Sequence, residues 1–82
     1  MSPKLKVLSG KEVLSIFQKL GFQKVAQRGS HVKLRRISPT GEKQTLTIVL
    51  HDELDKGTIK AIYRQAMKFV PEEILYKEFY TK

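Results

Sequence analysis

The sequence predicts a small α+β domain in which helices cover one face of a three-stranded antiparallel sheet. Apolar residues recur at helical spacing near the start of the chain and again after residue 56. Three strand-like segments, separated by turn residues, lie between these stretches. The 82 residues suffice for one modest core, so we expect a single domain over residues 1–82. Its core is expected at about 9–67, with a C-terminal extension at 68–82.

Helix one is predicted at about residues 10–20, after a loose lead-in over residues 1–8. Ser9 and Glu12 have the spacing of a capping box, and Gly21 stands where a left-handed C-cap belongs. The apolar stripe of this helix consists of Val13, Ile16, Phe17 and Leu20.

Three strands are predicted at about residues 22–28, 31–37 and 43–50. Gly29-Ser30 suits a two-residue type II′ hairpin turn, in which a glycine takes the positive φ. Pro39-Thr40-Gly41 forms the next turn. The core residues of the third strand are expected to be Leu46, Ile48 and Leu50.

The register of the first hairpin divides its residues between two faces. Unbroken pairing from the turn places Arg28 opposite His31 and Lys24 opposite Arg35. The core face then carries Val25, Val32 and Leu34. The open face then carries Lys24, Arg28, His31, Lys33 and Arg35. Like charges opposite each other destabilise a sheet, so this open face is expected to have an anionic partner.

A second helix is predicted at about residues 56–67, with either Asp55 or Thr58 as its cap. Its apolar stripe is Ile59, Ile62, Tyr63 and Ala66. Pro71 begins a short last helix. The apolar contacts of that helix are expected to be Ile74, Leu75 and Phe79. The order α-β-β-β-α, with a short extra C-terminal helix, is the sandwich plan of double-stranded-RNA-binding domains.

Composition and charge narrow the class of protein. The chain has no cysteine, which excludes disulfides and thiolate chemistry. The sequence shows neither a membrane-spanning apolar run nor a signal peptide, so a soluble, cytoplasmic protein is expected. Residues 1–50 hold ten Lys/Arg against two acids, whereas residues 51–82 hold six of each. This asymmetry predicts a basic face for a polyanion, although a merely soluble basic surface is the alternative.

Two stretches of the chain stand out as motifs. The first is Gly29-Ser30-His31, at the start of a strand. The second is His51-Asp52-Glu53-Leu54, followed by Lys56-Gly57-Thr58-Ile59 at the entry to a helix. Together they resemble HicA-type toxins, the mRNA interferases of type II toxin–antitoxin systems. The resemblance spans roughly residues 9–67. It implies a double-stranded-RNA-binding-domain-like fold, a HicB-like antitoxin as partner, and a catalytic role for His31.

The residues also support RNA cleavage on chemical grounds. Cleavage without a metal uses the 2′-hydroxyl of the RNA as nucleophile, a general base, and cations that stabilise the phosphorane. An imidazole can both accept and donate a proton, so His31 suits the acid–base role. His51 is a candidate second proton-transfer group; the alternative is that it ends a strand and bonds to backbone. The residues expected to bind RNA or support the transition state are Lys24, Arg28, Ser30, Lys33 and Arg35.

Two other features have competing interpretations. Asp52, Glu53 and Asp55 allow a metal site, but acids ahead of a helix are typically caps, so no metal or other cofactor is expected. The basic face of helix two either is solvated or contacts phosphates across an RNA groove. The leading hypothesis is an endoribonuclease toxin that acts on mRNA. The alternative is a non-catalytic RNA-binding module that uses the same basic sheet face.

Overall fold

A three-stranded antiparallel sheet lies at the centre of the fold. The structure is a computed structural model that describes residues 2–81. The predicted domain limits at Met1 and Lys82 lie outside the described residues. In chain order the elements are β1 (Lys4–Leu5), α1 (Gly10–Lys19), β2 (Gln23–Arg28), β3 (His31–Ile37), β4 (Lys43–Val49), α2 (Lys56–Ala66), α3 (Glu72–Phe79) and β5 (Tyr80–Thr81). The α+β class and the predicted order from α1 to α3 are confirmed.

Capping and a glycine turn fix α1 as predicted. The Ser9 side chain accepts a hydrogen bond from the Glu12 N–H, and the Glu12 carboxylate accepts one from the Ser9 N–H. Gly21 follows the helix with φ of 96°. The chain then reverses, so that the ring of Phe22 meets the ring of Phe17 edge-on at 5.7 Å. These contacts lead the chain from α1 into β2.

The central sheet has the strand order β2-β3-β4, with β3 in the middle. Val32 and Leu34 of β3 are fully buried, as are Leu46 and Ile48 of β4. The stripes of both long helices pack over these side chains, and α3 adds Leu75 and Phe79 to the same core. Leu50, predicted as a core residue of the third strand, is half-buried and lies beyond the end of β4.

Strand β2 differs from its neighbours because all six of its residues are exposed. The prediction that Val25 faces the core is wrong, since its side chain is 47% exposed. A β-bulge between Lys24 and Ala26 takes Val25 out of the pairing. An extra residue in one strand shifts every later pair, which is why counting alone failed here.

The two ends of the chain form a second, two-stranded sheet that the sequence did not predict. β1 pairs antiparallel with β5, with Leu5 opposite Tyr80. The expected loose lead-in over residues 1–8 is therefore wrong in part. Ile74 is a second correction: it is 40% exposed, because α3 buries Leu75 and Phe79 instead.

Arg36 is the one cation of β3 that points to the helical side. Its guanidinium donates to the carbonyl oxygens of Leu20 and Phe69, both at 2.9 Å, and to Gln44 Oε1 at 2.8 Å. These two carbonyls lie at the end of α1 and just after α2, where helices leave carbonyls unpaired. Arg36 thus connects the sheet to both helix ends. Within residues 2–81, no helix has the length and apolar character to cross a bilayer.

Candidate nucleic-acid interface

The face of the sheet turned away from the helices carries His31 among cations. Cross-strand partners share a face, so the pairing identifies its members. His31 stands between Arg28 of β2 and Val49 of β4, as predicted. The next row on this face is Ala26–Lys33–Thr47, and the one after it is Gln23–Arg35–Thr45. None of the three strands contains an acidic residue.

The hairpin turn fixes the position of His31. Gly29 has φ of 59°, and Ser30 does not have a positive φ, which is the pattern of the predicted type II′ turn. A Cβ on Gly29 would meet no atom within 4 Å, so glycine is needed there for its backbone conformation and not for space. The Ser30 carbonyl accepts a hydrogen bond from the Leu50 N–H at 2.7 Å. That bond ties the turn to the segment that follows β4.

The imidazole of His31 is exposed and free to meet a ligand. It makes no hydrogen bond and no ion pair with any other residue in the range 2–81. Beside it lies a shallow depression of roughly 290 Å³. Its lining residues are Ala26, Gln27, Arg28, His31, Val32, Lys33 and Thr47. The small side chain of Ala26 leaves this space open between the two cations that flank His31.

Lys24 is not on this face, contrary to prediction. The bulge at Val25 moves Lys24 opposite Leu34, a core-facing residue, and puts Gln23 opposite Arg35 instead. The ammonium group of Lys24 donates to Gln27 Oε1 at 3.0 Å. The structure therefore brings Arg28, His31, Lys33 and Arg35 together and separates Lys24 from them.

His51 lies in the loop after β4, two residues beyond the last strand residue. Its backbone carbonyl accepts a hydrogen bond from the Gly10 N–H at 2.8 Å, at the first turn of α1. Its side chain is exposed and makes no hydrogen bond within residues 2–81. His51 thus bonds to backbone, as one of its two interpretations expected, but it does not end the strand, since β4 ends at Val49. Its role in proton transfer stays a prediction.

The acids between β4 and α2 include a helix cap. Asp55, one of the two candidates, is the N-cap of α2, and its carboxylate accepts from the Thr58 N–H at 2.7 Å. This bond lowers the pKa of Asp55 below its usual range. In the described part of the chain, no three His, Cys, Asp or Glu side chains are grouped as metal ligands would be.

Sequence reasoning missed Gly10, whose role depends on a close approach between two elements. A Cβ at this position would overlap the Val49 carbonyl oxygen and the Leu50 backbone. Gly10 thus lets α1 start directly against the end of β4, next to the strand partner of His31. Its place as the first residue after a capping serine gave no indication of this contact.

The sequence was compared with models of known protein families, and one of them matches. Residues 10–67 match the family model of the HicA toxin of bacterial toxin–antitoxin. A comparison with curated proteins found no match. The matched segment runs from the start of α1 to the end of α2 and contains the whole open face of the sheet. The chain therefore belongs to the HicA toxin family and is a toxin of a toxin–antitoxin system.

Proposed function

We propose that this toxin is a metal-independent endoribonuclease that cleaves mRNA, with His31 as its catalytic residue. The observation that carries the proposal is the exposed imidazole of His31, which has no partner within residues 2–81 and lies beside Arg28 and Lys33. A module that only bound RNA would gain little from imidazole here, because a permanently charged side chain binds phosphate better. Family membership supports the same function.

The proposed reaction is an internal transfer at phosphorus. The RNA 2′-oxygen forms a bond to the adjacent phosphorus while the bond from phosphorus to the 5′-oxygen of the next nucleotide breaks. His31 accepts the 2′-hydroxyl proton, and a second group donates a proton to the leaving 5′-oxygen. Arg28 and Lys33 stabilise the negative charge that develops on the phosphoryl oxygens. The products are a 2′,3′-cyclic phosphate and a free 5′-hydroxyl.

Two groups are candidates for donating the proton to the leaving 5′-oxygen. His51 is the side-chain candidate, since it lies just past the strand that pairs with His31. Water is the alternative donor. A His51→Ala variant distinguishes them, because loss of a general acid lowers the cleavage rate by about 10²-fold or more, whereas a water donor leaves the rate unchanged.

The expected partner protein is a HicB-like antitoxin that covers the open face and buries His31. Acidic or polar groups on the antitoxin would meet Arg28, Lys33 and Arg35, which have no acidic partner on their own strands. Opposite charges on the two proteins would speed their encounter, and salt would screen this effect.

The deciding experiment compares wild type with His31→Ala for growth arrest on induction and for cleavage of RNA by purified protein. We expect His31→Ala to lose cleavage by at least about 10²-fold and to keep its thermal stability, because the side chain is exposed and makes no hydrogen bond within residues 2–81. Unchanged cleavage would refute the catalytic role. RNA binding without cleavage by the wild type would favour the RNA-binding module.

The same assay in excess EDTA tests the metal-independent mechanism. We expect full cleavage, because the reaction needs only side chains and the RNA 2′-hydroxyl. Activity that disappears with EDTA and returns with Mg²⁺ or Mn²⁺ would overturn this part of the proposal and make Asp52, Glu53 and Asp55 the first candidate ligands.

A further inference from the structure

A second depression lies further along β3 from His31, at the end of the sheet where β2 begins, and three residues of the open face, Gln23, Arg35 and Ile37, line part of it. It has a volume of roughly 290 Å³ and is lined by Gly21, Gln23, Val25, Arg35, Arg36 and Ile37. The bulge in β2 brings Val25 to this depression, where an unbroken strand would have turned the side chain to the helical side. Val25 is 47% exposed and Ile37 is 56% exposed. Two large aliphatic side chains therefore flank Arg35 in contact with solvent.

Arg35 has none of the contacts that occupy its neighbour. The guanidinium of Arg36 makes three hydrogen bonds and lies over Phe22. Arg35 makes no hydrogen bond or ion pair with the other described residues, and its Nε is buried without a partner. A partly buried guanidinium without a partner is costly in a folded protein. The Nη groups of Arg35 likewise make no hydrogen bond to the described residues, so this half-buried guanidinium is available to a ligand.

The shape of this surface favours a flat, partly apolar ligand. The covered Nε of Arg35 removes one of the two guanidinium edges that can hold a phosphate with paired hydrogen bonds. Val25 and Ile37 line the same depression as Arg35 and present aliphatic surface to a ligand there. Arginine planes stack on nucleobases in RNA complexes, and aliphatic side chains add apolar contact. A phosphate would gain nothing from the two aliphatic side chains.

We propose that the depression formed by Gln23, Val25, Arg35 and Ile37 binds one nucleobase of the RNA, which stacks on the Arg35 guanidinium. Gln23 lies directly opposite Arg35, and its exposed amide makes no hydrogen bond to the other described residues. An amide offers both donors and an acceptor. Gln23 therefore reads the polar edge of the stacked base and contributes to the choice of cleavage site.

This base subsite rests on the proposed function for its position relative to the cleaved bond. Arg35 is four residues from His31 along β3, which corresponds to about 13 Å. The stacked base therefore belongs to a nucleotide near the scissile phosphate, and the phosphodiester bond that is cleaved lies at His31 and not at the stacked base. The row that contains Ala26, Lys33 and Thr47 lies between the two sites and provides the path for the connecting backbone.

The test uses short single-stranded RNAs that are fully 2′-O-methylated, so that no 2′-hydroxyl nucleophile is present. Each RNA carries one fluorescent 2-aminopurine, at a different position, whose emission falls when it stacks. We expect wild type to quench one position strongly and Arg35→Lys, which keeps the charge but lacks the plane, to lose that quenching. We expect Arg35→Ala to weaken binding by roughly 5- to 100-fold.

Matched control variants distinguish the loss of base stacking from a general loss of positive charge and from a defect in folding. Lys43→Ala removes a cation of the same face and should leave the quenching in place. Gln23→Ala should change the preferred base beside the cleavage site, whereas Gln18→Ala, on the exposed side of α1, should not. Quenching that persists in Arg35→Lys, or that occurs at no position, would refute the base subsite even if cleavage is normal. Quenching at one position by a protein that cleaves no RNA would support the subsite and refute the endoribonuclease.

Discussion

The guanidinium carbon of Arg36 lies 4.7 Å from the centre of the Phe22 ring, on the helical side of the sheet. Its neighbour Arg35 lies on the opposite face, because successive strand residues alternate. The two arginines consequently differ in what their guanidinium groups can bind. Arg36 satisfies carbonyl groups at the ends of two helices, while Arg35 is available to a ligand. This contrast gives a direct stability test.

We expect Arg36→Met to destabilise the fold by about 2 kcal/mol or more, because hydrogen bonds to charged groups are worth about 1.5–3 kcal/mol and two carbonyls lose their donor. Arg35→Met is the matched control and should be neutral or stabilising, because it removes a buried Nε that has no partner among the described residues. Urea denaturation of both variants measures the difference. Equal losses would contradict the assignment of Arg36 as the structural arginine.

A glycine pair tests the contact between α1 and β4. Gly10→Ala should destabilise by about 1–3 kcal/mol, the usual cost of an overpacked site, because the added Cβ overlaps the Val49 carbonyl. Gly57→Ala, in the first turn of α2, meets only a side-chain atom at 3.5 Å. It should be neutral or stabilising, since alanine is the better helix former. Thermal unfolding of both variants provides the measurement, and a neutral Gly10→Ala would contradict the contact.

The salt dependence of RNA binding tests the register of β2. Each phosphate contact to single-stranded RNA contributes about 0.7 to the slope of log K against log salt. Arg28→Ala and Lys33→Ala should each reduce the slope by about that amount and slow cleavage, because both residues flank His31. Lys24→Ala should leave the slope nearly unchanged, since the bulge places Lys24 opposite Leu34. A Lys24→Ala slope that falls as far as that of Arg28→Ala would indicate that Lys24 shares the binding face.

Most of the fold could be predicted because local rules act over short distances. The capping box at Ser9, the type II′ turn at Gly29, and the alternation that starts at His31 each depend on a few adjacent residues. The turn alone determined that Arg28 lies opposite His31, which gave the centre of the candidate site. These features needed no information about the rest of the chain.

The predictions from the sequence that proved wrong concern features that depend on segments distant along the chain. Val25 is as apolar as a core residue, and nothing in the sequence of β2 shows that it bulges or that all six residues of this strand are exposed. Likewise, Leu5 pairs with Tyr80 across nearly the whole chain, a contact that no local pattern reports. The base subsite was missed for the same reason, since it depends on the bulge and on Arg35 lacking a partner.

The buried phenol of Tyr63 makes stability depend on alkaline pH. Burial, with a smaller contribution from the hydrogen bond and charge of Glu72, raises the pKa of Tyr63 from 10.0 to about 12. The folded state therefore holds this proton more tightly than the unfolded state does. The resulting stabilisation is complete below pH 10 and is lost as the pH rises towards 12.

Tyr63→Phe removes the titrating group but keeps the ring that meets Phe79 edge-on at 5.5 Å. We expect the variant to be less stable than wild type by about 1 kcal/mol near neutral pH, because the 3.2 Å hydrogen bond to Glu72 is lost. The difference should shrink above pH 10, since only wild type then loses stability through this phenol. Urea denaturation of both proteins, at several pH values from neutral to about pH 11, gives the comparison. A difference that stays constant over this range would mean that Tyr63 titrates alike in the folded and unfolded chains.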